Sequence, residues 1–159
     1  MNENNLEKII NNIVGDAIVK EVMSLKLAVK LIESVEEKAT EMGLAVVVAV
    51  SDASGRPIAV HCMDGAYHGS FDVAVNKTYT STAFQMSTAK LSRLCQPGQD
   101  LYGLQFSNNG KVMILGGGEP LMVGKTMIGA LGVSGGSAQE DSDLAAYGAS
   151  ALKEVIKCL

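Results

Sequence analysis

The sequence contains no tryptophan, and aromatic residues make up 4% of its 159 positions. A core filled by large rings is therefore excluded. The abundance of Gly, Ala, Ser and Val instead favours close backbone packing, which suits self-association. Cysteine is also scarce: Cys62, Cys95 and Cys158 are an odd, widely spaced set with no C-x-x-C pair. That excludes a disulfide framework and a zinc knuckle, and predicts reduced thiols. No run of about 18 apolar residues occurs. The opening Met1, Asn2, Glu3, Asn4, Asn5 lacks the basic stretch and apolar block of a secretory signal, so the expected location is cytoplasmic with no membrane partner. Charge is not clustered either: 13 Lys plus Arg against 17 Asp plus Glu give a net −4, with the basic residues scattered from Lys8 to Lys157. A phosphate-tracking surface is excluded, and no nucleic-acid partner is expected. A chain of this length buries roughly 70% of its unfolded surface, enough for one domain without a disulfide or metal staple.

Periodicity supplies the elements. Leu6, Ile9, Ile10, Ile13, Val14 and Ala17 recur at helical spacing, with Asn, Glu and Lys opposite, which predicts a short amphipathic helix within residues 1–20, set apart by Gly15 and Asp16. The domain proper is expected over residues 21–159. It begins with a helix over 24–42 whose stripe is Leu25, Ala28, Ile32, Val35, Ala39 and Met42, stopped by Gly43. Residues 44–50 are apolar on both alternating faces, as in a central strand, and residues 57–63 return antiparallel after a turn at Asp52 to Gly55. A small-residue helix over 70–86 and a shorter one over 88–95 follow. Strands are expected over 111–115, 120–123 and 126–134, then a final helix opened by a Ser137 to Glu140 capping box. This order predicts an α+β domain built on one antiparallel sheet, five-stranded and covered by helices.

Most chemistry-bearing patterns fail on spacing. Val123, Gly124, Lys125, Thr126 resemble the end of a phosphate-binding loop, but Glu119 stands where that motif needs glycine, and a strand follows. Gly135 and Gly136 precede a helix whose first turn already carries Glu140, Asp141 and Asp143, which repel a phosphate. With two histidines and no G-x-S-x-G elbow, a nucleophilic triad has little support. His61, Cys62, Asp64 and His68 lie close together but without a zinc ligand spacing. Haem suits this stretch better, since it needs one strong axial donor and an apolar slot, and His61, Met63, Tyr67 and His68 all carry donor atoms. Strand alternation puts His61 with Ala59 and Met63, and Cys62 opposite. Each histidine also reads as an ordinary hydrogen-bonded rim residue.

Four motifs in order carry a resemblance: Met63, Asp64, Gly65, Ala66; then Asn76, Lys77, Thr78, Tyr79, Thr80; then Gly117, Gly118, Glu119, Pro120, Leu121; then Ile128, Gly129, Ala130, Leu131, Gly132, Val133, Ser134, Gly135, Gly136 with Asp141 downstream. Together they resemble the GlcG/HbpS-like haem-binding family, which includes the C-terminal domain of PduO-type corrinoid adenosyltransferases. The resemblance spans about residues 24–152. It implies a profilin-like fold with five antiparallel strands, assembly into tetramers or octamers, and haem binding in several members. Relatives commonly carry Arg just before the Met-Asp-Gly-Ala motif, where this chain has His61 and Cys62. Adenosyl transfer belongs to a domain not matched here, and is not implied.

The leading reading is a homo-oligomeric haem or tetrapyrrole binder, cytoplasmic or inside a bacterial microcompartment, with a corrinoid as the lesser ligand candidate. His61 or His68 is expected to ligate iron, Met63 and Tyr67 to be secondary donors, and Lys77 to neutralise a propionate. Residues 1–20 are expected to reach a microcompartment shell or cargo partner, or to pack on their own domain or a neighbouring subunit. The alternatives are an enzyme acting on haem or in corrinoid metabolism, and a structural oligomer without ligand.

Overall fold

The computed structural model describes residues 22–159, so the amphipathic helix expected within residues 1–20 lies outside the described residues. Helix α1 (Leu25–Glu41) starts where the Ser24 hydroxyl accepts the Leu27 N–H at 3.2 Å, satisfying one of the unpaired donors of a first turn. It buries Leu27, Ala28, Leu31, Ile32, Val35 and Ala39. The ends of the expected stripe, Leu25 and Met42, are exposed, and Leu27 and Leu31 take their place because the buried face is wider than a single row. Each such aliphatic side chain contributes about 1.5–3 kcal/mol when fully withdrawn from water.

Strands β1 (Val47–Asp52) and β2 (Pro57–Cys62) form a hairpin. Its turn is held by Asp52 Oδ1, which accepts the N–H groups of Ser54 at 2.9 Å and Arg56 at 3.0 Å. Helices α2 (Ser70–Phe84) and α3 (Thr88–Leu94) follow, then two short 3₁₀ turns, β3 (Gly118–Val123), β4 (Thr126–Ser134) and α4 (Ala138–Lys157). The expected capping box is present: the Ser137 hydroxyl accepts the Glu140 N–H, and the Glu140 carboxylate accepts the Ser137 N–H.

All pairings are antiparallel, in the order β2-β1-β4-β3, so β1 is central as its two-faced apolarity predicts. Val46, Val48 and Val50 enter the main core with α1 and α4, while Val47 and Ala49 meet Ala74 of α2 on the other face. Among the described residues the sheet has four strands, not five. Residues 111–115 run beside α2, where the Met113 N–H donates to the Thr80 hydroxyl at 2.8 Å, and Val112 is buried with Leu91 and Cys95 near α3. Their apolar character serves that smaller cluster, and the Met113 N–H goes to a side chain instead of a strand neighbour.

The small residues of α2 are used inside the domain. A Cβ at Gly132 of β4 would collide with the Ala74 carbonyl oxygen, so the missing side chain is what lets α2 lie directly on the strand backbone. Ala74, Thr78 and Ser81 are fully buried there.

Candidate functional site

His61 lies near the end of edge strand β2, opposite Val48. Directly paired residues share a face of the sheet, so the imidazole lies on the α1 side. There Nδ1 is 3.2 Å from Glu36 Oε1 and 3.3 Å from Oε2. The two side chains are 35% and 26% exposed, half-sheltered but open to a ligand. With its proton on Nδ1, the ring donates to the Glu36 carboxylate and leaves the Nε2 lone pair free, which is how metal-ligating histidines are oriented by a supporting carboxylate. The chemistry of this donor pair fits a haem iron.

The other expected donors are spread out. Met63 is half-buried and packs against the same core as Val48, with its N–H donated to the Val46 carbonyl at 3.1 Å. Cys62 pairs with Val47 and faces the α2 side. Tyr67 and His68 stand in the exposed segment leading into α2, Tyr67 with 74% of its surface in solvent. Thus His61 and Met63 share a face, whereas Tyr67 and His68 are on a surface turn. Among the described residues, no three His, Cys, Asp or Glu side chains converge to hold a bare metal ion.

Lys77 departs from its expected role. It is 1% exposed, and its ammonium donates to the Val133 carbonyl at 2.6 Å and to Asp141 Oδ2 at 2.8 Å. Burial pushes its pKa below the ordinary 10.5, while the Asp141 carboxylate pulls it back up. Asp141 Oδ1 also accepts the Gly136 N–H at 2.9 Å. Gly117, at φ +111°, makes room for the pair: a Cβ there would lie 2.8 Å from the Lys77 ammonium nitrogen. A charge neutralised inside the domain has no free valence for a propionate. The sequence did carry a signal for this pair, since a lysine on the small-residue face of a helix needs a buried counter-charge. Glu36 carried none, because it sits 25 positions from His61 on the polar side of α1.

A second concavity, a cleft of about 730 Å³, opens beside the other edge strand, lined by Met86, Lys90, Glu119, Pro120, Met122, Lys125 and Met127. Burial raises the pKa of Glu119 above the ordinary carboxylate value of 4.5. Gly124 and Lys125 form the tight turn of the β3–β4 hairpin, which removes the resemblance to a phosphate-binding loop. Among the described residues, no helix is long and apolar enough to cross a membrane.

The architecture and sequence match known proteins. Residues 23–150 match the family described as haem degrading protein HbpS-like. An uncharacterized 15.0 kDa protein from the dhaT–dhaS intergenic region of Citrobacter freundii is 39% identical over 123 residues, covering 77% of this chain and 87% of that protein. Corrinoid adenosyltransferase PduO of Salmonella typhimurium is 38% identical over 116 residues, 73% of this chain but 34% of that protein, so the chain spans about a third of PduO. Among solved structures, Klebsiella pneumoniae protein ORFY superposes with a TM-score of 0.80 at 37% identity, covering 82% of this chain and 90% of that one. A PduOC–haem complex superposes with 0.78 at 35% identity, covering 82% and 94%. A double mutant of Streptomyces reticuli HbpS gives 0.73 at 26% identity, covering 82% and 87%. With the four motifs, the antiparallel sheet and a family match across most of its length, this chain belongs to the HbpS-like family.

Proposed function

We propose that this protein binds haem, as a homo-oligomer, with His61 Nε2 as the axial donor and Glu36 holding the imidazole in register. The observation that carries the reading is the likeness to the PduOC–haem complex, 35% identical over nearly the whole of that chain. The His61–Glu36 pair supports it chemically, because a neutral imidazole with a fixed tautomer is a strong donor to iron. Bound haem supplies a redox-active iron. The chain supplies the donor nitrogen, the carboxylate behind it and, in Met63, a soft side chain on the same face.

Self-association is supported by the large side chains left at the surface, Tyr67, Phe71, Tyr102 and Phe106, the last 82% exposed. Light scattering is expected to give a tetramer or larger, and a monomer at all concentrations overturns that part. The PduO likeness supports a place beside corrinoid chemistry, in the cytoplasm or a bacterial microcompartment, with residues 1–20 reaching the shell or a cargo partner.

Haem titration followed in the visible region tests the reading. A saturable Soret shift is expected, lost or displaced in His61→Ala and retained in His68→Ala. An unchanged spectrum and affinity in His61→Ala overturns imidazole ligation at that position. A second reading, turnover of haem, is favoured by the description of the family itself. Progressive loss of the Soret band with a reductant and oxygen supports turnover, and a stable band supports binding.

A further inference from the structure

Helices α1 and α4 run antiparallel on the outside of the sheet. At one end the Lys26 ammonium donates to the Leu159 carbonyl at 3.1 Å, and at the other Lys38 lies 5.9 Å from the centre of the Tyr147 ring. Between them is an outward-facing groove of about 280 Å³, lined by Lys30, Ser34, Tyr147, Ala151, Val155 and Cys158. At its open end, Val22 and Leu25 are 55% and 62% exposed. The family match begins at residue 23, immediately beside this apolar surface. The preceding positions carry Leu6, Ile9, Ile10, Ile13, Val14 and Ala17 at helical spacing.

We infer that residues 6–17 are the occupant of this groove, docked in cis as a third helix against α1 and α4. Length and register fit. Twelve residues at 1.5 Å each span about 18 Å, the same as α1 from position 25 to 37. Residues 18–24 are more than the two to five that join antiparallel helices. Folding back places Ala17 beside the start of α1, Ile13 level with Lys30, and Ile9 and Ile10 level with Ser34. Cys158, on the facing helix, comes to the level of Ile13. A second copy fits less well, because a stable interface buries about 800 Å² per partner and this concavity accommodates one helix ridge. The inference does not depend on haem, and a partner that captures residues 1–20 must first displace them.

Thiol chemistry on the native chain tests it. Cys158 lines the groove, while exposed Cys62 lies on β2 and acts as an internal reference. In Ile9→Asp/Ile13→Asp, alkylation of Cys158 is expected to be several-fold faster than in the wild type, with Cys62 unchanged and the circular dichroism of the domain retained. Equal rates at Cys158 overturn the inference. As a positive test, Ile13→Cys in a Cys62→Ser background is expected to oxidise to an intrachain disulfide with Cys158 at monomer mass. Absence of that bond, or formation of disulfide-linked dimers alone, overturns it; the latter assigns the segment to a second copy.

Discussion

The Lys77 ammonium and the Asp141 carboxylate, 64 positions apart, meet at 2.8 Å with side chains 1% and 5% exposed. The contact joins α2 to the first turn of α4, and the Val133 carbonyl brings β4 into the same knot. A buried pair of this kind is costly to break from one side, because the survivor is left as an unpaired charge. Lys77→Met or Asp141→Asn alone should lose about 3–5 kcal/mol in urea unfolding. The double replacement Lys77→Met/Asp141→Leu should recover most of it. Single losses under about 1 kcal/mol would place the pair with solvent-screened ion pairs and contradict its burial.

Glu119 predicts a pH-dependent difference. Its folded pKa is raised above 4.5 by burial, so the fold favours the neutral acid. That stabilisation is complete below pH 4.5 and is lost as pH rises through the folded value. Glu119→Gln, neutral throughout, should therefore match the wild type below pH 4.5 and be the more stable of the two at pH 7. Unfolding curves at both values check this, and identical stabilities at pH 7 count against an uncompensated carboxylate.

Removing the carboxylate behind His61 should separate orientation from ligation. Glu36→Gln keeps the imidazole and so should keep the Soret position. It should weaken haem affinity by about 10-fold or more, as loss of a supporting carboxylate does elsewhere. Titration of the variant beside His61→Ala distinguishes the two roles, and wild-type affinity in Glu36→Gln removes Glu36 from the site.

Close approach of α2 to the sheet is tested by the smallest side chain. Gly132→Ala drives a methyl into the Ala74 carbonyl and should destabilise the domain by about 1–3 kcal/mol. Gly69→Ala, where a Cβ meets nothing within 4 Å, should change stability by less than about 0.5 kcal/mol. Thermal or urea unfolding of both, run together, suffices; equal effects would disprove the tight helix–strand contact.

Local pattern was sufficient for several elements. The apolar stripe and Ser24 define α1, the two-faced valine run identifies β1 as central, Asp52 to Gly55 turns the first hairpin, and Ser137 with Glu140 opens α4. Each is a decision made within about one helical turn or one strand, where sequence neighbours are also spatial neighbours. The strand expected over 111–115 failed for the same reason in reverse: its apolar residues fit a ladder locally, but Thr80 and the cluster around Leu91 claimed them.

By itself the sequence determined the helices, the hairpins, the alternation that sends His61 and Cys62 to opposite faces, and the motifs that mark the HbpS-like family. Tertiary structure alone decided that Glu36 stands behind His61, that Tyr67 and His68 remain on a surface turn, and that Lys77 is committed to Asp141. The reason is physical. Backbone hydrogen bonding and side-chain periodicity act over a few residues, whereas the partner of a buried charge or a ring nitrogen is selected by which faces meet when sheet and helices pack.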